Sequence, residues 1–141
     1  MSVYVFGHKN PDSDSIVGAI SISYLKNQVE NEEYIPVRLG EISNETKFIL
    51  DKFDGKLPEL KTSVAGERVY VVDSTDKAHF QDDIDDATIV GIIDHHKLGD
   101  MMTSTPLECW IRPIGCSNTI VKEVYDALLE RYKSSVEYYL A

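Results

Sequence analysis

Residues 3–15 read VYVFGHKNPDSDS. The apolar run VYVFG has the look of a strand buried on both faces, and the stretch behind it, IVGAISISYLKNQV at 16–29, carries apolar residues at helical spacing. Strand, short loop and helix form the opening unit of a parallel α/β sheet. The loop itself is unusual for packing, because His8, Asp12 and Asp14 follow the buried run directly. Carboxylates repel one another until a cation joins them, so the triplet reads as half of a metal cage. An Asp-Ser-Asp loop with a proline is also ordinary turn chemistry, and Asp14 or Ser15 can cap the helix.

Further along, YIPVRLG (34–40) reads as a second strand, with Pro36 marking an edge or a strand end. SNETKFILDKF (43–53) reads as a helix with Ser43 and Asn44 as cap candidates, and LPELKTSVAGE as a loop or broken helix. VYVVD (69–73) and TIVGIID (88–94) are two more buried strands, each ending in an aspartate, and LECWIRP (107–113) is a fifth candidate. SNTIVKEVYDALLERY (117–132) is strongly periodic and helical. The expected order is β-α-β-α-β-α-β-β-α, a mostly parallel α/β sheet with helices on both faces, in a single domain over residues 1–141.

In such sheets ligands bind beyond the carboxyl ends of the strands. Parallel strands would bring three clusters to that edge: His8-Asp12-Asp14, then Asp73, then Asp94-His95-His96. Each alone has a bland reading as a turn, a cap or a polar strand end. Together they favour a pair of divalent ions, and the mixed imidazole and carboxylate set favours Mn²⁺, Co²⁺ or Fe²⁺ over Ca²⁺. Asp73, at the end of a central strand, is rigid enough to bridge two ions.

Whole-chain properties narrow the function. The net charge is −10, from 24 acidic and 14 basic residues, which argues against binding nucleic acid through its phosphates. No apolar run approaches the ~18–20 residues of a membrane span, and MSVYVFGHKNPD does not resemble a secretory signal. Two cysteines, Cys109 and Cys116, do not make a disulfide framework, and a cytoplasmic setting is expected. The acidic run at 82–86 reads as solvated surface, His79 as an exposed loop residue, and Cys116 as a small buried one. RPIGCSNTI (112–120) reads either as an anion site at a helix N-terminus or as a simple capped helix start.

GHKNPDSDS, VVDST, IDHHK and RPIGCSNTI, with PVRLGEISNET at 36–46, resemble the successive motifs of the N-terminal domain of family II inorganic pyrophosphatases, in order over about residues 2–132. These are manganese-dependent members of the DHH phosphoesterase superfamily. The resemblance implies that His8 and Asp12 bind one ion, Asp14 and His95 the other, and that Asp73 bridges them. It further implies that His96 faces the phosphate, that Asp94 holds the histidines, and that Lys9 and Asn10 lie near the site. Two Mn²⁺ ions, with Co²⁺ or Mg²⁺ as substitutes, and pyrophosphate as substrate follow from the same likeness.

Two departures stand out. Many members read Asp-His-Asn where this chain has Asp73-Ser74-Thr75, so a histidine near the phosphate is absent from that position. A further ligating aspartate and a basic C-terminal domain, which grips the substrate in the family, are also expected to be missing. Slow or no turnover by these residues alone is therefore expected, as is self-association through sheet edges or the last helix. A standalone metal-binding or assembly domain, and a DHH phosphoesterase acting on polyphosphate or short nucleotides, are the competing readings.

Overall fold

A computed structural model describes the backbone of residues 1–140 and the side chains of residues 1–131. Six strands form one sheet: β1 (Ser2–Phe6), β2 (Glu33–Arg38), β3 (Glu59–Leu60), β4 (Arg68–Val72), β5 (Thr88–Asp94) and β6 (Glu108–Ile111). Their spatial order is β3-β2-β1-β4-β5-β6, and every neighbouring pair is parallel. The expected parallel α/β sheet is present, and the order reverses between β1 and β4, the kind of crevice where α/β sheets bind ligands.

Three α-helices accompany the sheet: α1 (Ser13–Val29), α2 (Asn44–Lys52) and α3 (Ser117–Leu140). Strand alternation divides the core in two. Val3, Val5, Tyr70, Val72 and Ile93 pack with Ala19 and Ile22 of α1 and Ile120 and Val124 of α3. Phe6, Val69, Val71 and Ile92 face the other way, against Val64, Phe80 and Ile84. That second face is closed by two one-turn 3-10 helices, Lys77–His79 and Ile84–Asp86, where the strand-helix alternation implied a full helix.

Three boundaries differ from the sequence reading. Helix α1 starts at Ser13 because Asp12, rather than Asp14 or Ser15, is its N-cap, accepting the Ser15 N–H at 2.9 Å. The LPEL stretch contributes a two-residue strand, β3, which pairs only with Val37 and Arg38. Pro36 thus lies just where β2 lacks an outer neighbour, the position a proline tolerates. Side chains of the terminal SSVEYYLA lie outside the described set. Among the described residues no helix is long and apolar enough to cross a membrane, and both cysteines are free.

Two tertiary devices hold the layers in register. The β4–β5 register slips between Val69 and Tyr70, so that Tyr70 pairs with Gly91, and a Cβ on Gly91 would overlap the Tyr70 ring. The second device ties α1 to α3. Asp14 Oδ2 accepts the Ser117 N–H at 2.7 Å and Oδ1 the Asn118 N–H at 3.0 Å, so an acid from the first turn of α1 caps the N-terminus of α3. The RPIGCSNTI anion site therefore exists, and its anion is the chain's own carboxylate.

Gly91→Ala should lower stability by about 1–3 kcal/mol through overpacking, seen as a lower urea midpoint at unchanged slope. Asp14→Ala, measured without metal, should cost about 1–2 kcal/mol by baring the α3 N-terminus, with Asp14→Asn milder. An Asp14→Ala midpoint equal to wild type would contradict the capping role.

Candidate metal centre

The carboxyl ends of β1, β4 and β5 deliver their side chains to one place. Asp73 follows β4 directly, is 1% exposed, and has φ of 69°, a left-handed conformation that only a few non-glycine residues adopt. Its carboxylate is ringed by polar groups. Oδ2 accepts from Ser15 Oγ at 2.8 Å and lies 3.2 Å from His8 Nε2, while Oδ1 accepts from Ser117 Oγ at 3.2 Å and lies 3.1 Å from His95 Nε2. Gly7, between β1 and His8, allows this closeness, since a Cβ there would collide with the Ser15 side chain.

Two donor sets share Asp73. The ligand atoms of His8, Asp12 and Asp73 lie within 4.8 Å of one another, and so do those of Asp73, His95 and His96. Asp14 is adjacent, its Oδ2 3.5 Å from His95 Nε2, although both of its oxygens also serve α3. Asp12, Asp14, Asp73 and Asp94 each form an ion pair with a histidine of the cluster.

Hydrogen bonding fixes what each imidazole offers. His95 Nδ1 is 2.9 Å from the Ile114 carbonyl, which can only accept, so Nδ1 carries the hydrogen. In the neutral ring Nε2 is then a bare lone pair aimed at two carboxylates. Either a proton or a cation must lie between them, and an outer N–H on a backbone carbonyl is the usual posture of a metal-ligating histidine. The donor set thus fits a divalent ion. His8 is held above its ordinary pKa by its hydrogen bond to Asp73, working against burial. Burial pushes Asp14 upward, but hydrogen bonds from Ser117 and Asn118 outweigh it and hold the carboxyl below its usual range.

Asp94 is fully buried and organises the other histidine. Its Oδ1 accepts from the His95 and His96 backbone N–H groups at 2.8 and 3.1 Å and lies 2.8 Å from His96 Nδ1. His96 therefore donates through Nδ1 and, in the neutral ring, keeps its lone pair on Nε2. A cavity of about 410 Å³ opens there, lined by His8, Asp73 and His96 together with Lys9, Asn10 and Lys97.

Three features escaped the sequence reading. His79 is exposed, as its sequence reads, but it also lines the same cavity, its ring 6.4 Å from that of His8. Ser74 and Thr75 both anchor loops here: Ser74 Oγ is 2.8 Å from His79 Nδ1, and Thr75 Oγ1 accepts the Gly99 N–H at 2.8 Å. Asp83, placed in a solvated acidic run, accepts from the Ser63 hydroxyl and the N–H groups of Val64 and Ala65. Cys116 is half-buried beside Thr119.

The chain is 41% identical over 135 residues to a probable manganese-dependent inorganic pyrophosphatase of Archaeoglobus fulgidus, a match covering 88% of this chain and 42% of that protein. It is 38% identical over 125 residues to the manganese-dependent inorganic pyrophosphatase of Methanothrix thermoacetophila, covering 89% and 40%. A crystal structure from Methanococcus jannaschii, described as that of a "putative family II inorganic pyrophosphatase", superposes with a TM-score of 0.81 at 39% identity, over 90% of this chain and 39% of that one. The chain thus spans about two-fifths of the length of these relatives. The profile of the DHH family N-terminal domain matches residues 2–140, and the chain belongs to that family.

Proposed function

We propose that this chain is the metal-holding domain of a manganese-dependent inorganic pyrophosphatase, which hydrolyses pyrophosphate to two phosphates. The observation that carries the reading is one buried carboxylate, that of Asp73, whose oxygens are shared by two imidazole-carboxylate sets at the crevice between β1 and β4. The names of the relatives supply the metal and the substrate class. In this reading His8 and Asp12 would hold one Mn²⁺ and Asp14 and His95 the other, with Asp73 available to both. Bound manganese would supply positive charge for a diphosphate and acidify a water for attack at neutral pH.

The chain's own residues do the rest. Ser15 and Ser117 hold the Asp73 carboxylate in one orientation, and Ile114 does the same for His95. Asp94 accepts a hydrogen bond from His96 Nδ1–H, so that Nε2 can hold or pass a proton at a phosphoryl oxygen in the cavity. Lys9 and Lys97 line that cavity as cations, in a chain whose net charge would otherwise repel the substrate. Among the described residues the cavity lining holds no Phe, Tyr or Trp, which favours a diphosphate over a nucleotide. A cytoplasmic setting and self-association through an open sheet edge belong to the same proposal.

Isothermal titration tests it. Mn²⁺ should bind the wild-type chain and raise its Tm by mass action, and imidodiphosphate should bind only after Mn²⁺. Asp73→Ala should abolish both, since one residue serves both ions, whereas Asp82→Ala should change neither. No Mn²⁺ binding by the wild type at millimolar concentration would overturn the reading.

Turnover is a separate expectation. Loss of one preorganised donor from an active site costs about 10²–10³ in rate, and the chain spans only about two-fifths of the length of its relatives. Phosphate release by the 141-residue chain in Mn²⁺ should therefore be close to background. Robust release would show that Lys9 and Lys97 suffice.

A further inference from the structure

The cavity beside the Asp73 cluster contains a histidine that neither donor set uses. His79 closes the one-turn helix Lys77–His79, and the chain around it is tightly held. Asp76 caps the turn by accepting the Ala78 N–H at 3.0 Å, Asp100 accepts the Lys77 N–H at 2.9 Å, and the His79 carbonyl accepts the Lys9 N–H at 2.7 Å. The next residue, Phe80, is 1% exposed and packs edge-on against Phe6 at 6.0 Å. The imidazole thus stands on a fixed backbone, in ring contact with His8.

Its tautomer follows from Ser74. That side chain is nearly buried, and its Oγ already accepts the Asp76 N–H at 3.1 Å. The hydroxyl hydrogen needs an acceptor, and His79 Nδ1, at 2.8 Å, is the partner the structure provides. Nδ1 therefore accepts, and the hydrogen of the neutral ring is on Nε2, which has no protein partner among the described residues. His96 has the reverse arrangement, since its Nδ1 donates to Asp94 and its Nε2 is a lone pair. The two imidazoles of one cavity thus offer opposite hydrogen-bonding polarity.

We propose that His79 is a substrate-contacting residue whose Nε2–H donates to a phosphoryl oxygen of the diphosphate, with Ser74 as the positioning residue that sets its tautomer. Ser74 fixes on His79 a donor that the imidazole alone would offer in only part of its tautomer population. A donor kept by a serine rather than by a carboxylate adds no negative charge beside an anionic substrate. Asp94, which serves His96, does add one. The inference rests on the pyrophosphatase reading, and its test separates the two.

The first measurement needs no substrate. Long-range proton–nitrogen NMR of the metal-free chain, in buffer well above the ordinary imidazole pKa of about 6.5, should show His79 with hydrogen on Nε2. Ser74→Ala should shift it toward a tautomer mixture, and Ser74→Thr should restore it. A wild-type His79 protonated at Nδ1 would overturn the inference while leaving the pyrophosphatase reading intact. The second measurement is titration of the Mn²⁺-loaded chain with imidodiphosphate. His79→Ala should weaken the analogue by about tenfold or more, as expected for a hydrogen bond to a charged group, with Mn²⁺ affinity unchanged. His79→Gln, whose amide can reach the Nε2 position, should recover part of the loss, and Ser74→Ala should fall between wild type and His79→Ala. An analogue affinity in His79→Ala equal to wild type, with Mn²⁺ binding preserved, would refute the role of His79 alone.

Discussion

The structure depends on one buried negative charge. Asp73 is almost fully enclosed at the carboxyl end of a central strand, in a backbone conformation that most residues avoid. A carboxylate in that position is costly unless each oxygen is satisfied, so the surrounding chain is arranged to satisfy it. Ser15 arrives from α1 and Ser117 from α3, and Gly7 leaves the space that the Ser15 approach requires. His8 and His95 complete the ring from the ends of β1 and β5. These groups also restrict where a further cation can sit, since both inner imidazole nitrogens point at the same carboxylate.

The sheet makes this convergence inexpensive. β1, β4 and β5 are adjacent and parallel, so residues just past their ends meet without long excursions of the chain. Asp14 is the most economical case. Its oxygens stabilise the N-terminus of α3 and also face His95, which couples the helix docking that completes the core to the electrostatics of the site. Removing that carboxylate would disturb packing and site together, so loss of function alone would not assign its role.

Most of the fold was legible because buried strands and amphipathic helices repeat with different periods, as VYVFG and SNTIVKEVYDALLERY show. The candidate site was legible because acids and histidines sit directly behind apolar runs, where packing gives no reason for them. What was not legible depends on tertiary contacts. Ser74, Thr75 and His79 look like a polar loop until the backbone places Ser74 against His79 and Thr75 against Gly99. The Asp12 cap hid because three neighbouring polar residues compete for that position in sequence. The α3 anion site was visible, but not its occupant, because Asp14 lies about a hundred residues away along the chain. The alternation also suggested a helix between β4 and β5, where two single turns and the buried Phe80 and Ile84 close the face instead.

The central claim is that two cations share the Asp73 carboxylate. The most direct measurement is anomalous scattering at the manganese edge from crystals grown with Mn²⁺. Two peaks flanking Asp73, one beside His8 and one beside His95, are the predicted result. A single peak away from Asp73, or no peak within its reach, would contradict the account.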